Sequence, residues 1–215
     1  MTPYYDQDGI TIYHGDCREI LPSLGKFDLL LTDPPYGIDF KGKKTRHKKT
    51  KSGGYATVED CPLIGPYVVR LALPLVSRAA VFPGKSNLWS YPASSDIGCI
   101  YCPAGVGIGK WGFTCFHPIL FYGQRPSSVL RPTSMDAFGP SENNGHPCPK
   151  PLKWIIWLLK LAALPADTVI DPFSGSGTTL DAAKLLGHKA IGIEINEDYC
   201  KITVERLRQG VLIPC

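Results

Sequence analysis

Asp171-Pro172-Phe173-Ser174-Gly175-Ser176-Gly177-Thr178-Thr179 stands between two segments of different hydrophobic period. Thr168 to Ile170, just before it, reads as a strand, and Thr178 to Leu186, just after, reads as a helix. A Gly-rich bend between a strand and a helix lets a ligand approach the backbone closely, where the helix N-terminus favours negative charge. The bend lacks the Gly-x-Gly-x-x-Gly spacing of a pyrophosphate loop. Gly84-Lys85-Ser86, the sole Gly-Lys-Ser, has Ala79 where a nucleotide loop needs its first Gly. NAD and ATP are therefore not the expected ligands.

Outward from this bend, Lys189 to Ile195 reads as the next strand, and Glu194 at its end can accept both hydroxyls of a ribose. Asn196 can cap a last helix that carries Glu197 and Asp198 in its first turn and stops at Gly210. Upstream, Leu152 to Ala163 follows helical spacing and is apolar nearly all round, which calls for burial on both faces or a partner. Farther upstream, Ile10–Tyr13, Phe27–Leu31, Ala79–Phe82, Gly98–Tyr101 and Thr114–Tyr122 read as strands, with helices at Cys17–Leu24 and Pro62–Leu73. Arg125 to Pro147, rich in Pro, Ser, Asn and Gly, reads as loop. Alternating strands and helices predict an α/β domain on a mostly parallel sheet.

Phe27–Leu31 is nearly continuously apolar, as a strand buried on both faces would be. It leads into Thr32-Asp33-Pro34-Pro35-Tyr36-Gly37. Two prolines fix φ and supply carbonyls without amides, so the Asp33 carboxylate and the Pro34 carbonyl form a rigid acceptor pair. Such a pair suits an exocyclic amino group with two N–H donors, and Tyr36 offers a flat face for a base.

At 215 residues the chain is long enough to bury about 70% of its extended surface without disulfide or metal support. With 44% hydrophobic and 20% charged residues, it is neither disordered nor a coiled coil. The net charge of +4 is concentrated: Lys41, Lys43, Lys44, Arg46, Lys48, Lys49 and Lys51 fall in one run, leaving 16 basic residues against 19 acids elsewhere. Such a run is a solvated loop or a nucleic-acid contact. Eight cysteines without a signal-like N-terminus predict reduced thiols. Cys99, Cys102, Cys115 and His117 could be written as zinc ligands, but their strand-like surroundings favour packed core cysteines, and no metal is expected. Trp154–Leu164 contains Lys160 and is too short to span a bilayer, so a cytoplasmic protein without membrane contact is expected.

Together these residues resemble the β group of amino-methylating DNA methyltransferases. The resemblance rests on Asp33-Pro34-Pro35-Tyr36, Phe173-Ser174-Gly175-Ser176-Gly177 and Gly192-Ile193-Glu194, with Gly15-Asp16 upstream and His146-Pro147-Cys148-Pro149-Lys150-Pro151 before the apolar helix. Cys148 and Pro149 replace the Thr and polar residue usual in that family. The resemblance implies a Rossmann-like S-adenosylmethionine-dependent methyltransferase sheet with helices on both faces and a permuted motif order, filling 1–215 as one domain. It implies a basic DNA-contacting loop at 38–58 and a small recognition element at 123–145. It further implies catalysis by Asp33, Pro34, Pro35 and Tyr36, and cofactor contacts from Asp16, Lys150, Asp171, Phe173, Ser174, Gly175, Gly177, Thr178, Glu194 and Asn196.

Asp at the head of the tetrapeptide is the form that family pairs with adenine N6, and Ser the form it pairs with cytosine N4. Adenine N6 in double-stranded DNA is the expected target, as in a restriction-modification system, with cytosine N4 the alternative. Methylation of a protein glutamine amide ranks third, since the resembling enzymes carry Asn at the position of Asp33. A module that binds DNA and cofactor without methyl transfer is the competing class. A homodimer is expected from the apolar Trp154–Trp157 helix.

Overall fold

The computed structural model describes residues 1–36, 63–103, 105–126, 131–137 and 150–209. An antiparallel hairpin of β1 (Tyr5–Gln7) and β2 (Ile10–His14) opens the chain, followed by the one-turn helix α1 (Cys17–Ile20) and β3 (Phe27–Thr32). The middle holds α2 (Ile64–Ala72), β4 (Val76–Val81), β5 (Asp96–Tyr101), β6 (Gly107–Gly109), β7 (Gly112–Thr114), β8 (Phe116–Gly123) and β9 (Ser134–Asp136). The last third is α3 (Leu152–Ala162), β10 (Thr168–Asp171), α4 (Thr178–Leu185), β11 (Lys189–Glu194) and α5 (Glu197–Gln209).

Nine strands make one sheet in the order β1-β2-β11-β10-β3-β4-β8-β5-β9. Strands β2, β11, β10, β3 and β4 run parallel, and β1 and β8 run against them. From β10 the chain winds outward through α4 to β11, while from β3 it winds the opposite way to β4. The strand order therefore reverses between β3 and β10, and the crevice beyond their carboxyl ends is where an open α/β sheet binds its ligand.

Helices cover both faces. Leu29, Leu31, Ala80 and Val169 pack on α3, α4 and α5 through Ile155, Leu158, Leu180 and Cys200. Leu30, Val81 and Ile170 pack on α1 and α2 through Ile20, Val68 and Val69. The apolar run of β3 thus feeds two cores, which is why it shows no alternation in sequence. On α3, Trp154, Ile155, Leu158, Leu159 and Ala162 are buried, whereas Ile156 and Trp157 are only half-buried and Lys153 and Lys160 face solvent. Among the described residues, no helix is long and apolar enough to cross a membrane.

Three expectations change. Thr114 ends β7, and β8 begins after Cys115, so the strand expected at Thr114–Tyr122 is two elements. Arg125–Pro147 is not wholly loop, because β9 pairs with β5 from Cys99↔Ser134 to Tyr101↔Asp136. That strand is three residues long and becomes a strand only through its edge pairing, a tertiary effect invisible to local pattern. The β1–β2 hairpin has no counterpart among the expected elements, although its turn, Asp8-Gly9, has φ of 54° and 77°, as Asp-Gly in a two-residue hairpin turn does.

Candidate active site

Asp33 leaves β3 at the point where the strand order reverses. Its carboxylate accepts hydrogen bonds from the Tyr36 hydroxyl and from the Lys150 ammonium at 2.5 Å. Lys150 is buried; its Nζ also donates to the Tyr36 hydroxyl at 3.1 Å and lies 5.3 Å from the centroids of the Tyr36 and Phe82 rings. The Tyr36 carbonyl accepts from Asn87 Nδ2 at 2.7 Å. Gly84, at φ 67°, passes directly against the Tyr36 ring, where a Cβ would stand 2.7 Å from a ring carbon. Gly65 does the same for Pro34, again at 2.7 Å. Two glycines from separate segments thus hold the prolyl corner, and neither carried a signal in the sequence.

Across the crevice, β10 ends in Asp171, which is buried and accepts from the Thr32 hydroxyl at 2.7 Å and from the Phe173 N–H at 3.1 Å. The first of these bonds joins residues 139 apart in sequence and ties the two strand ends together. Burial pushes the Asp171 carboxyl up to about 6, against hydrogen bonds from Thr179, Thr32 and the Phe173 N–H that pull it down. Between 3.8 and about 6 the folded protein holds a proton that the unfolded chain has released. Its contribution to stability therefore falls as pH rises through that window. Asp171→Asn is expected to flatten the decline of urea midpoints across it; an equally steep decline in the variant would contradict this assignment.

The bend then turns on Gly175 (φ 51°) and Gly177 (φ 81°), the residue that precedes α4. Ser174 N–H donates to the Ile193 carbonyl at 3.1 Å, and the Thr203 hydroxyl donates to the Gly175 carbonyl at 3.1 Å. Glu194 is buried, and burial raises its carboxyl; one oxygen accepts from Gly175 N–H at 2.9 Å and the other from Asn196 N–H at 2.8 Å. Asn196 accepts from Asp198 N–H at 2.9 Å, which caps α5 as its position in the sequence predicts. Asp16 caps α1 through Arg18 N–H at 2.8 Å and pairs with the Arg18 guanidinium at 2.5 Å, which lowers its carboxyl. Gly15 N–H donates to the Glu194 carbonyl at 2.9 Å, so Asp16 and Glu194 share one edge.

A cleft of about 80 Å³, open to solvent, brings together Asp33, Lys150, Asp171, Phe173, Ser174, Gly175 and Thr178, with Leu31, Thr32, Phe82, Ile155, Ser176 and Thr179 completing its wall. Pro34, Pro35 and Tyr36 adjoin it through Asp33. Glu194, Asp16 and Asn196 are not in this wall: Glu194 lies behind Gly175, which donates to it, Asn196 and Gly15 bond Glu194 in turn, and Gly177 sits under the bend against Thr203. Lys41, Lys43, Lys44, Arg46, Lys48, Lys49, Lys51 and His146–Pro149 lie outside the described residues. Among the described residues, no three His, Cys, Asp or Glu side chains are placed to hold a metal.

His117, which the sequence offers only as a zinc ligand, lies close enough to Lys150 and Asp33 to feel both charges. Its ring lies 5.2 Å from Trp154, and burial, then the Lys150 charge, lowers it to about 4, so the imidazole is neutral at pH 7.

Residues 86–205 match the N6_N4_Mtase family, described as DNA methylase. The Type II methyltransferase M.ScaI of Streptomyces caespitosus is 28% identical over 257 aligned positions, covering 95% of this chain and 83% of that protein. The crystal structure of the M1.HpyAVI-SAM complex covers 92% of this chain and 98% of its own, at 21% identity and a TM-score of 0.66. The PvuII DNA methyltransferase, cytosine-N4-specific, covers 95% and 88% at 17% identity and a TM-score of 0.65. The chain belongs to the N6/N4 DNA methylase family, and so to the S-adenosylmethionine-dependent enzymes that methylate an exocyclic amino group in DNA, at adenine N6 or cytosine N4.

Proposed function

We propose that this protein methylates adenine N6 in double-stranded DNA, with its motifs in the permuted order of the β group. The observation that carries this reading is one cleft walled by both Asp33 and the Phe173–Thr178 bend, 140 residues apart in sequence. The donor set suits the cofactor. Asp171 stands in the wall and Glu194 just behind Gly175, carboxylates suited to a cationic, hydroxyl-bearing ligand, while Lys150 and the N-terminus of α4 offer positive charge to a carboxylate. Phe173, Phe82 and Ile155 supply apolar wall.

S-adenosylmethionine, when bound, supplies a sulfonium-activated methyl group. The chain's task is then to orient a poor nucleophile, an amino nitrogen whose lone pair is delocalised into its ring. Asp33 and the Pro34 carbonyl accept the two amino hydrogens and favour a more tetrahedral nitrogen, an alignment worth up to about 7–11 kcal/mol in favourable intramolecular cases. Tyr36 gives the base a stacking face, worth about 1–3 kcal/mol, which offsets much of the few kcal/mol that extruding a base costs. The amino group takes over the hydrogen bond that Lys150 gives Asp33, so the carboxylate exchanges one donor for another and is never left bare. No cysteine is needed as a nucleophile.

Adenine is favoured over cytosine by Asp33, where the cytosine-N4 form of the motif carries Ser. Labelled methyl transfer to DNA followed by nucleoside analysis tests the choice: N6-methyl-2′-deoxyadenosine is expected, and N4-methyl-2′-deoxycytidine would overturn it. The basic segment 38–58 is proposed to track phosphates and 123–145 to contribute to recognition. Each phosphate neutralised adds about 0.9 to the slope of log affinity against log salt. Replacing Lys43, Lys44, Lys48 and Lys49 by Gln is therefore expected to flatten that slope, and an unchanged slope removes the segment from the interface. A homodimer is proposed to cover the half-buried Ile156 and Trp157.

A further inference from the structure

β6 and β7 form a two-stranded ribbon outside the main sheet, paired Gly107↔Thr114, Ile108↔Phe113 and Gly109↔Gly112, with Lys110 and Trp111 in its turn. Alternation along the strands places Ile108 and Phe113 on one face and three glycines with Thr114 on the other. The glycine face is the held one: the Lys85 ammonium donates to the Thr114 hydroxyl at 3.1 Å. The other face buries nothing. Trp111 is 102% exposed, Ile108 78% and Phe113 77%. These side chains belong to neither core, so folding does not require them.

The ribbon's place gives them a purpose. Lys85, which holds it, follows Gly84, the residue packed on the Tyr36 ring, and Asn87 of the same loop bonds the Tyr36 carbonyl. One short loop therefore shapes the base-stacking corner and carries the ribbon. From Ile97 to Met135 the chain has no Asp or Glu, but it has Lys110, Arg125 and Arg131. Asp96 and Asp136 pair opposite Phe121 and Tyr101 in the main sheet, whereas the ribbon itself carries Lys110 and no acid.

We propose that the Gly107–Thr114 ribbon is a duplex wedge that enters a DNA groove beside the target base, with Trp111 against the bases next to the vacated position. The inference rests on the DNA-methylating reading above. A two-stranded ribbon fits the major groove, and apolar side chains inserted between base steps stabilise an unstacked duplex. A wedge of this kind lowers the cost of extruding the target and is dispensable when the target is already unpaired.

The test uses Trp111→Ala, Trp111→Phe and the pair Ile108→Ser/Phe113→Ser on an oligonucleotide carrying the mapped methylation site. The substrates are the full duplex, a duplex with the target opposite an abasic position, and the single strand. Trp111→Ala and the double variant are expected to raise KM on the full duplex about tenfold, to change little on the unpaired targets, and to leave cofactor affinity and thermal unfolding as in wild type. Trp111→Phe is expected to restore most of the duplex activity. Duplex-induced quenching of tryptophan fluorescence, read without any transfer, is expected to fall in Trp111→Ala. That arm still decides the wedge if the wild type methylates no DNA, an outcome that would refute the DNA-methylating reading alone. Equal effects on paired and unpaired targets would overturn the wedge. So would unchanged duplex kinetics with a wild-type dimer that Trp111→Ala converts to monomer, which would assign the face to a second copy of this chain.

Discussion

Asp33→Ala is expected to lower the turnover number for methyl transfer by about 10²–10³, the loss seen when one preorganised group serving a transition state is removed. Cofactor affinity should hold, because the Phe173–Thr178 bend takes its shape from Ser174, Gly175 and Thr203, not from Asp33. The variant also strands the buried Lys150 ammonium. Breaking a fully buried ion pair costs about 3–5 kcal/mol, and the partial exposure of Asp33 brings the cost here below that range. A second substitution separates the two effects. Asp33→Ala/Lys150→Met is expected to recover the urea midpoint without recovering turnover. Recovery of both would make the pair structural, and wild-type turnover in Asp33→Ala would remove the carboxylate from the chemistry.

The second large effect falls on Gly177. Its φ of 81° lies in the left-handed region, where an L side chain costs about 1–2 kcal/mol, and a Cβ there would stand 2.3 Å from Thr203 Cγ2. Overpacking adds about 1–3 kcal/mol. Gly177→Ala should therefore lose roughly 2–5 kcal/mol from a total that is about 5–15 in ordinary domains, and with it much of the cofactor affinity. The Thr203→Ala background relieves the contact but not the dihedral, so Gly177→Ala/Thr203→Ala should recover part of the urea midpoint. An unchanged midpoint in Gly177→Ala, measured alongside calorimetric titration of S-adenosylmethionine, would contradict this reading of the bend.

What the sequence disclosed and what it hid follow one physical division. The parallel core was legible because β3 is an apolar run buried on both faces and because Asn196, Gly177 and the Asp33 corner are local signals with local causes. The edges were not. β9 exists through its pairing with β5, and the β6–β7 ribbon has glycine at three of its six strand positions and exposed Ile108 and Phe113, so neither has a hydrophobic period to read. The two motifs could be named separately, but their meeting depends on contacts no local pattern encodes. Thr32 bonds Asp171 across 139 residues, Lys150 reaches Asp33 across 117, and Gly65 and Gly84 close on the prolyl corner from other segments. Lys150 is the instructive residue: expected to close over the methionine end of the cofactor, it also holds the carboxylate intended for the base.

The central claim is spatial, and a crystal structure with S-adenosylmethionine bound tests it most directly. Density for the cofactor is expected along the Phe173–Thr178 bend, with its sulfonium end opening toward Asp33 and its ribose toward Glu194. Cofactor seated at any other edge of the sheet, with Asp33 and Lys150 still paired and no path between them and its methyl group, would contradict the account.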